Sequence, residues 1–218
     1  MPELHFAVVD VAPEPYAVAP NLLARVRVEE HTGEAVHALA LKAQVRIEPQ
    51  RRRYDDTEEQ ALLDLFGGRA RFADTLKPFA WLHTSTIAQG FTGSTEIDLV
   101  LPCTYDFEVS GTKYLHALRD GEIPLLFLFS GTVFTRGATG FSVTQVPWDR
   151  ESRYRMPVSA WRDLMDAHFP GSQWLRMHRD TVDALGRLKH ERGLTSWDDV
   201  VTTLLAETSQ PVEGGVAR

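Results

Sequence analysis

The stretch PLLFLFSGTVF, residues 124–134, decides the fold. Its side chains are apolar at odd and even positions alike, so neither face suits water. A strand covered on both faces has this composition. Arg136–Gly137–Ala138–Thr139–Gly140 makes a turn after it, and Phe141–Val146 (FSVTQV) pairs back as a hairpin partner. Upstream, Phe79–Ile87 and Thr95–Leu101 also read as strands, the second stopped by Pro102, and Thr104–Val109 is a further short strand candidate. Residues 111–119 (GTKYLHALR) fit a hairpin through Asp120–Gly121 nearly as well as a short helix. Tyr114, Leu115 and Leu118 on one helical face tip the reading to the helix.

Toward the N-terminus the pattern keeps a period of two. Leu4, Phe6 and Val8 share a face of LHFAVVD, and LLARVRV alternates in the same way. The turn His31–Glu34 leads into an alternation that runs from Val36 to Ile47. Period two broken by Gly and Pro means antiparallel strands. Pro13, Pro15 and Pro20 place the link between the first two strands in a loop. Residues 57–66 change period: Thr57 with Gln60 forms a capping-box pattern, Leu62, Leu63 and Phe66 make a stripe, and Gly67–Gly68 ends it.

After Trp148 the pattern becomes helical. Pro157 suits a first helical position, and Val158, Trp161, Leu164, Met165 and His168 recur at helical spacing. A second helix is expected over 180–192, and a third is capped by Ser196 with Asp199. Strands first and helices last give an α+β fold. The expected form is an antiparallel β-sandwich or strongly bent sheet of about 7–9 strands, with a short inserted helix and a C-terminal three-helix subdomain. The boundaries expected are 1–150 for the β region, 151–207 for the helical subdomain packed on it, and 208–218 for a disordered tail.

Composition bounds the function. The chain has 218 residues, 43% of them apolar and 24% charged, with a net charge of −7. That is a globular composition, and it lacks the basic footprint of a general nucleic-acid or anionic-membrane binder. The longest apolar run, Ile123–Phe129, is far below the roughly 20 residues of a spanning helix. MPELHFAVVDVAPEP lacks the basic and apolar regions of a secretory signal, so a cytoplasmic location without membrane contact is expected. The acidity is uneven: net −1 over 1–55, −5 over 56–150 and −1 over 151–218. Against it stand Arg46 and the triplet Arg51, Arg52 and Arg53, whose guanidinium forks suit an anion or an acidic partner. A solvated turn after an edge strand explains the same residues.

The usual catalytic and metal motifs are absent from the sequence. Eight histidines include no HxH, HExxH or HxxxH pair, and one cysteine excludes an intramolecular disulfide and a Cys-based zinc site. His83 with Glu96 and Asp98 is the least remote metal set, and no metal or cofactor is expected. Cys103 precedes Asp106 and Glu108, which disfavour a thiolate, so a buried structural cysteine is expected. Ser130 lies inside a strand without a nucleophile elbow, and Gly90–Thr95 reads as a loop. Trp161, Trp174 and Trp197 are candidates for a partner or subunit interface, where tryptophan is favoured.

Taken together, RIEPQRRRY, FTGSTEIDLVLPCTYDFEV, KYLHAL, DGEIPLLFLFSGTVF and SAWRDLMDAHFPGSQWLRMHRDTVDAL resemble an uncharacterised actinobacterial family of about this length. The likeness runs over residues 3–207. That family has no assigned activity, and its genes often lie near NiFe-hydrogenase operons. The resemblance implies an accessory or assembly role and supplies no catalytic residues. The missing CxxC and His-rich tracts weigh against direct metal handling.

Three readings follow. The first is a non-enzymatic, chaperone-like accessory protein that binds another protein, with a homo-oligomer as an option. It predicts an exposed apolar patch. The second is a small-molecule or lipid binder with a cavity inside the sandwich, lined from Phe79–Ile87 and Pro124–Phe134. The third is an enzyme without a recognisable motif, built from His83, His116, Asp106, Glu108 and Cys103. It predicts that at least three of these converge.

Overall fold

Eight antiparallel strands lie in two sheets in the computed structural model, which describes residues 2–104, 109–137, 140–172 and 176–209. The strands are β1 (Leu4–Pro13), β2 (Asn21–Glu30), β3 (Val36–Ile47), β4 (Phe79–Phe91), β5 (Ser94–Pro102), β6 (Glu122–Gly137), β7 (Gly140–Gln145) and β8 (Glu151–Pro157). A three-stranded sheet has the order β1-β2-β5. A five-stranded sheet has the order β4-β3-β6-β7, with β8 also on β6. The α+β sandwich read from the sequence is therefore the observed fold.

β6 is the centre of the larger sheet, as its composition requires. β3 pairs along one edge, and β8 and β7 share the other. Ile123 to Phe127 are buried on both faces, and beyond them the strand alternates. Pro124 is tolerated because pairing with β3 starts at Leu125; its carbonyl still accepts the Glu48 N–H at 2.9 Å. Inside the sandwich Phe6 stacks on Phe129 at 4.7 Å, and Leu22, Val26, Leu39, Val45 and Leu99 exclude water. Each such side chain contributes about 1.5–3 kcal/mol.

Between β3 and β4 the chain forms α1 (Asp56–Ala61), α2 (Leu63–Phe66) and α3 (Phe72–Thr75). The capping box falls on Asp55 and Glu58, ahead of the expected Thr57 and Gln60. Asp55 accepts the Glu58 N–H at 2.8 Å, and a carboxylate is the better cap at the positive helix end. Residues 111–119 are mostly α4 (Ser110–Ala117), the helical alternative. The strand candidate Thr104–Val109 lies largely outside the described residues.

The chain divides into two units, 1–174 and 175–218. Residues 151–157, expected to open the helical part, form β8, because Met156 faces the core while its neighbours are exposed. α5 (Val158–His168) belongs to the first unit, packed on β1 and β8 through Val158, Trp161, Leu164 and Met165. The second unit holds α6 (Arg179–Glu191) and α7 (Trp197–Ser209). Ser196 and Asp199 form the expected cap, each backbone N–H donating to the other's side chain at 3.0 Å. The tail expected from residue 208 lies mostly outside the described residues.

Candidate functional site

The arginines of the basic run have separate fates. Arg46 projects from β3, and its Nη2 donates to the Pro78 carbonyl at 3.2 Å. Arg52 turns inward onto Glu58 at 2.7 Å and stacks its guanidinium 4.9 Å from the Tyr54 ring centre. Arg51 pairs with Glu48 at 2.9 Å, and Arg53 is exposed. Arg51, Arg52 and Arg53 line an open cleft together with Gln50, Gly121, Glu122 and Arg155, whereas Arg46 is not part of its lining.

Of the tryptophans, Trp161 is core. It meets Trp81 edge-on at 6.5 Å and His116 at 5.8 Å, so it offers little surface to a partner. Trp197 is half exposed, with Lys189 Nζ 5.7 Å above its ring. Trp174 lies outside the described residues.

The proposed catalytic residues occupy different places. His83 is exposed on β4 and bonds Gln44 at 3.0 Å. His116 packs on Trp161, and burial lowers its pKa. Cys103 is buried, and burial pushes its thiol up to about 12, so it is no nucleophile at neutral pH. Asp106 and Glu108 lie outside the described residues. The metal set of His83, Glu96 and Asp98 does not form: Glu96 pairs with Arg27 at 2.9 Å and Asp98 with Arg25 at 3.1 Å on the smaller sheet. Among the described residues no group of three ligand-type side chains is placed to hold a metal.

The two outer faces of the sandwich differ in chemistry. The three-stranded sheet carries those ion pairs across β2 and β5, as a solvated face should. The five-stranded sheet turns outward Ala38, Ala40 and Lys42 of β3, Thr132 and Phe134 of β6, and Ile87 of β4. Ile87 is 75% exposed, and Phe141 and Val143 on β7 are 62% and 57% exposed. Below them lies an open groove of about 500 Å³ lined by Lys42, Gln44, His83, Ser85, Ser130 and Trp148.

Trp148 is the feature that sequence reading passed over. β7 and β8 run along the same edge of β6, joined by residues 146–150. The Val146 N–H donates to the Gly131 carbonyl at 2.9 Å, and the Phe129 N–H donates to the Arg150 carbonyl at 2.9 Å. Pro147, Trp148 and Asp149 therefore loop out between two ladder bonds only two β6 residues apart, three residues against one, a larger excursion than an ordinary bulge. The loop leaves Trp148 92% exposed at the groove. A backbone irregularity re-aims side chains, and here it holds the indole in water. The local signal was Pro-Trp-Asp between two alternating segments.

Comparison with known proteins adds the following. A family of unknown function, DUF6084, matches residues 1–213. No curated protein matches the chain. Among solved structures it is similar to a CARDB domain from Pyrococcus furiosus determined in complex with di-metal ions, at 9% identity and a TM-score of 0.29, covering 72% of this chain and 92% of that one. It is also similar to a β-glucosidase from Kluyveromyces marxianus, at 9% identity and a TM-score of 0.25, and to β-glucosidase 3B from Thermotoga neapolitana, at 11% and 0.26. Each of these covers 71% of this chain, which spans 15% and 17% of the two enzymes. Likenesses this weak carry no functional argument.

Proposed function

Since the chain belongs to the DUF6084 family of unknown function, its role has to be read from its own surface, and we propose that it binds a partner protein through the outer face of the five-stranded sheet. One observation carries this reading: Trp148 stands 92% exposed on the backbone excursion that joins β7 to β8. Ile87, Phe141 and Val143 are exposed on the same outer face, and small side chains at Ala38 and Ala40 leave its centre flat. An exposed tryptophan beside apolar residues and polar groups is the composition of an interface hot spot. Lys42, Gln44 and His83 supply those polar groups. The resemblance read from the sequence gives the finer form of the proposal: an accessory, assembly or chaperone-like role in the cytoplasm, with a hydrogenase-related protein as partner.

The test compares the wild-type chain with Trp148→Ala and Ile87→Ser in affinity purification from the native host, followed by reconstitution with the purified partner. Supporting results are a partner that binds the wild-type chain directly and is lost from both variants. A partner held equally by all three chains, or no partner that distinguishes them, overturns the reading.

A further inference from the structure

A second site lies at the start of β6, whereas the Trp148 loop lies against its middle. Gln50, Arg51, Arg52, Arg53, Gly121, Glu122 and Arg155 bound an open cleft of about 660 Å³. Three segments build it: the turn after β3, the entry to β6, and β8. Its four guanidinium groups meet three carboxylates. Arg51 pairs with Glu48, Arg52 with Glu58, and Arg155 with Glu122 at 3.4 Å. Glu48 is shared with Arg153, which also holds Glu151. Arg53 has no ion-pair partner among the described residues, and the nearby Asp120 carboxylate accepts the Gly121 N–H at 2.6 Å.

Arg52 marks this cleft as built. Its side chain is 8% exposed, and its Nη2 is saturated by Glu58 and the Asp120 carbonyl. Its Nε donates to the Arg53 carbonyl at 3.2 Å, and its Nη1 is buried without an acceptor among the described residues. Buried guanidinium donors are normally satisfied, so this nitrogen is an exception at the wall of the cleft. Arg155 Nη2 donates to the Arg51 backbone carbonyl at 3.5 Å, which ties β8 to the turn after β3.

We propose that this cleft binds a phosphoryl group, from free phosphate or from a small phosphorylated molecule. Four guanidiniums approaching from two segments, the turn after β3 and β8, match a tetrahedral dianion, which presents an oxygen to each. A carboxylate has only two oxygens in one plane. A dianion also competes better than a carboxylate for Arg155, whose bond to Glu122 is long and exposed. This site is separate from the proposed protein-binding face, and either proposal stands if the other fails.

The test is titration of the full chain with inorganic phosphate and with phenyl phosphate at constant ionic strength. Calorimetry and guanidinium NMR signals give the readouts, with acetate and an acidic peptide as comparison probes. The expected result is saturable phosphate or phenyl phosphate binding that Arg53→Ala and Arg155→Ala each weaken about tenfold. Both residues are exposed, so these variants keep the fold. Arg52→Lys keeps the charge but loses the fork, and it is expected to weaken binding without unfolding the chain. Tighter phenyl phosphate binding identifies a phosphorylated molecule, and tighter inorganic phosphate binding identifies the free ion. Absence of saturable binding, equal affinity for acetate, preference for the acidic peptide, or unchanged binding in both alanine variants overturns the proposal.

Discussion

Arg52 Nη2 lies 2.7 and 2.8 Å from the two carboxylate oxygens of Glu58, and the two side chains are only 8% and 3% exposed. The pair fastens three segments together. Glu58 also closes the capping box of α1 and accepts the Arg119 N–H at 2.8 Å, and Arg52 reaches the Asp120 carbonyl. Removing one partner leaves a buried charge uncompensated, so Glu58→Ala is expected to cost about 3–5 kcal/mol in urea unfolding. Replacing both by apolar residues, as in Arg52→Met with Glu58→Leu, is expected to recover most of that loss. A cost below about 1 kcal/mol for Glu58→Ala is the outcome that contradicts the account, since exposed pairs contribute that little.

Gly131 sits where β6 changes partner from β8 to β7. A β-carbon there would stand 2.2 Å from the Ala40 carbonyl oxygen, at a backbone φ of +156°. The obstacle is backbone of the neighbouring central strand, which cannot move aside. Gly131→Ala is expected to destabilise the sandwich by roughly 3 kcal/mol or more, read as a lower denaturation midpoint. Gly93→Ala, in the open turn between β4 and β5, is strained only by its φ of +74° and is expected to cost about 1 kcal/mol.

The sandwich was legible because burial imposes periods of two on β1, β2 and β3 and removes the period from the first half of β6. The basic run was legible only as composition. Arg51, Arg52 and Arg53 are adjacent in sequence, yet one is buried against Glu58, one pairs with Glu48, and one has no ion pair among the described residues. Those fates depend on Glu58 and Glu48, on other elements, which no local pattern reveals. Arg155, the fourth arginine of the cleft, is more than a hundred residues from the triplet and was not grouped with it. Trp161 was placed on the right helix and in the right stripe. Helical spacing alone does not say whether a stripe meets the protein's own core or a partner. Trp148 was missed for the opposite reason: a bulge is defined by what the partner strand does, and Gly131 and Phe129 are far from it in sequence.

Glu30 gives the fold an acid-sensitive contact. Burial works to raise its pKa, but hydrogen bonds from the Thr32 hydroxyl at 2.6 Å, the Thr32 N–H at 3.0 Å and the Glu3 N–H at 3.0 Å outweigh it and hold the value at about 2, below an ordinary 4.5. A lowered folded-state pKa contributes stability that is complete above the unfolded value and is lost as pH falls toward the folded one. The wild-type chain should therefore lose this contribution between about pH 4.5 and pH 2. Glu30→Gln should be less stable at neutral pH and should show a shallower loss across that window in pH-dependent urea unfolding. Equal acid slopes for the two chains would show that Glu30 plays no part.

Cys103 tests whether the end of β5 is closed. Its thiol donates to the Leu101 carbonyl at 3.4 Å, and burial holds its pKa at about 12. Both effects suppress the thiolate that alkylating reagents require. The native chain is expected to resist iodoacetamide at pH 8 and to react fully once unfolded in urea, as followed by mass spectrometry. Rapid labelling of the native chain is the contrary result, and it would mean that this end opens locally.

Trp148 separates a contact residue from a packing residue by a simple measurement. Of the described tryptophans, Trp161 is buried, Trp81 is partly buried, Trp197 is half exposed and Trp148 is almost wholly in water. Trp148→Phe is expected to shift the summed emission to shorter wavelength and to reduce quenching by iodide. The urea midpoint should stay within about 0.5 kcal/mol of wild type, because an exposed side chain stabilises little. The result that decides against an interface role is a large fall in stability with the same substitution, since the indole would then be packing against the sheet. Unchanged stability with a loss of quenching shows that the indole at residue 148 packs against nothing, as the proposed interface role requires.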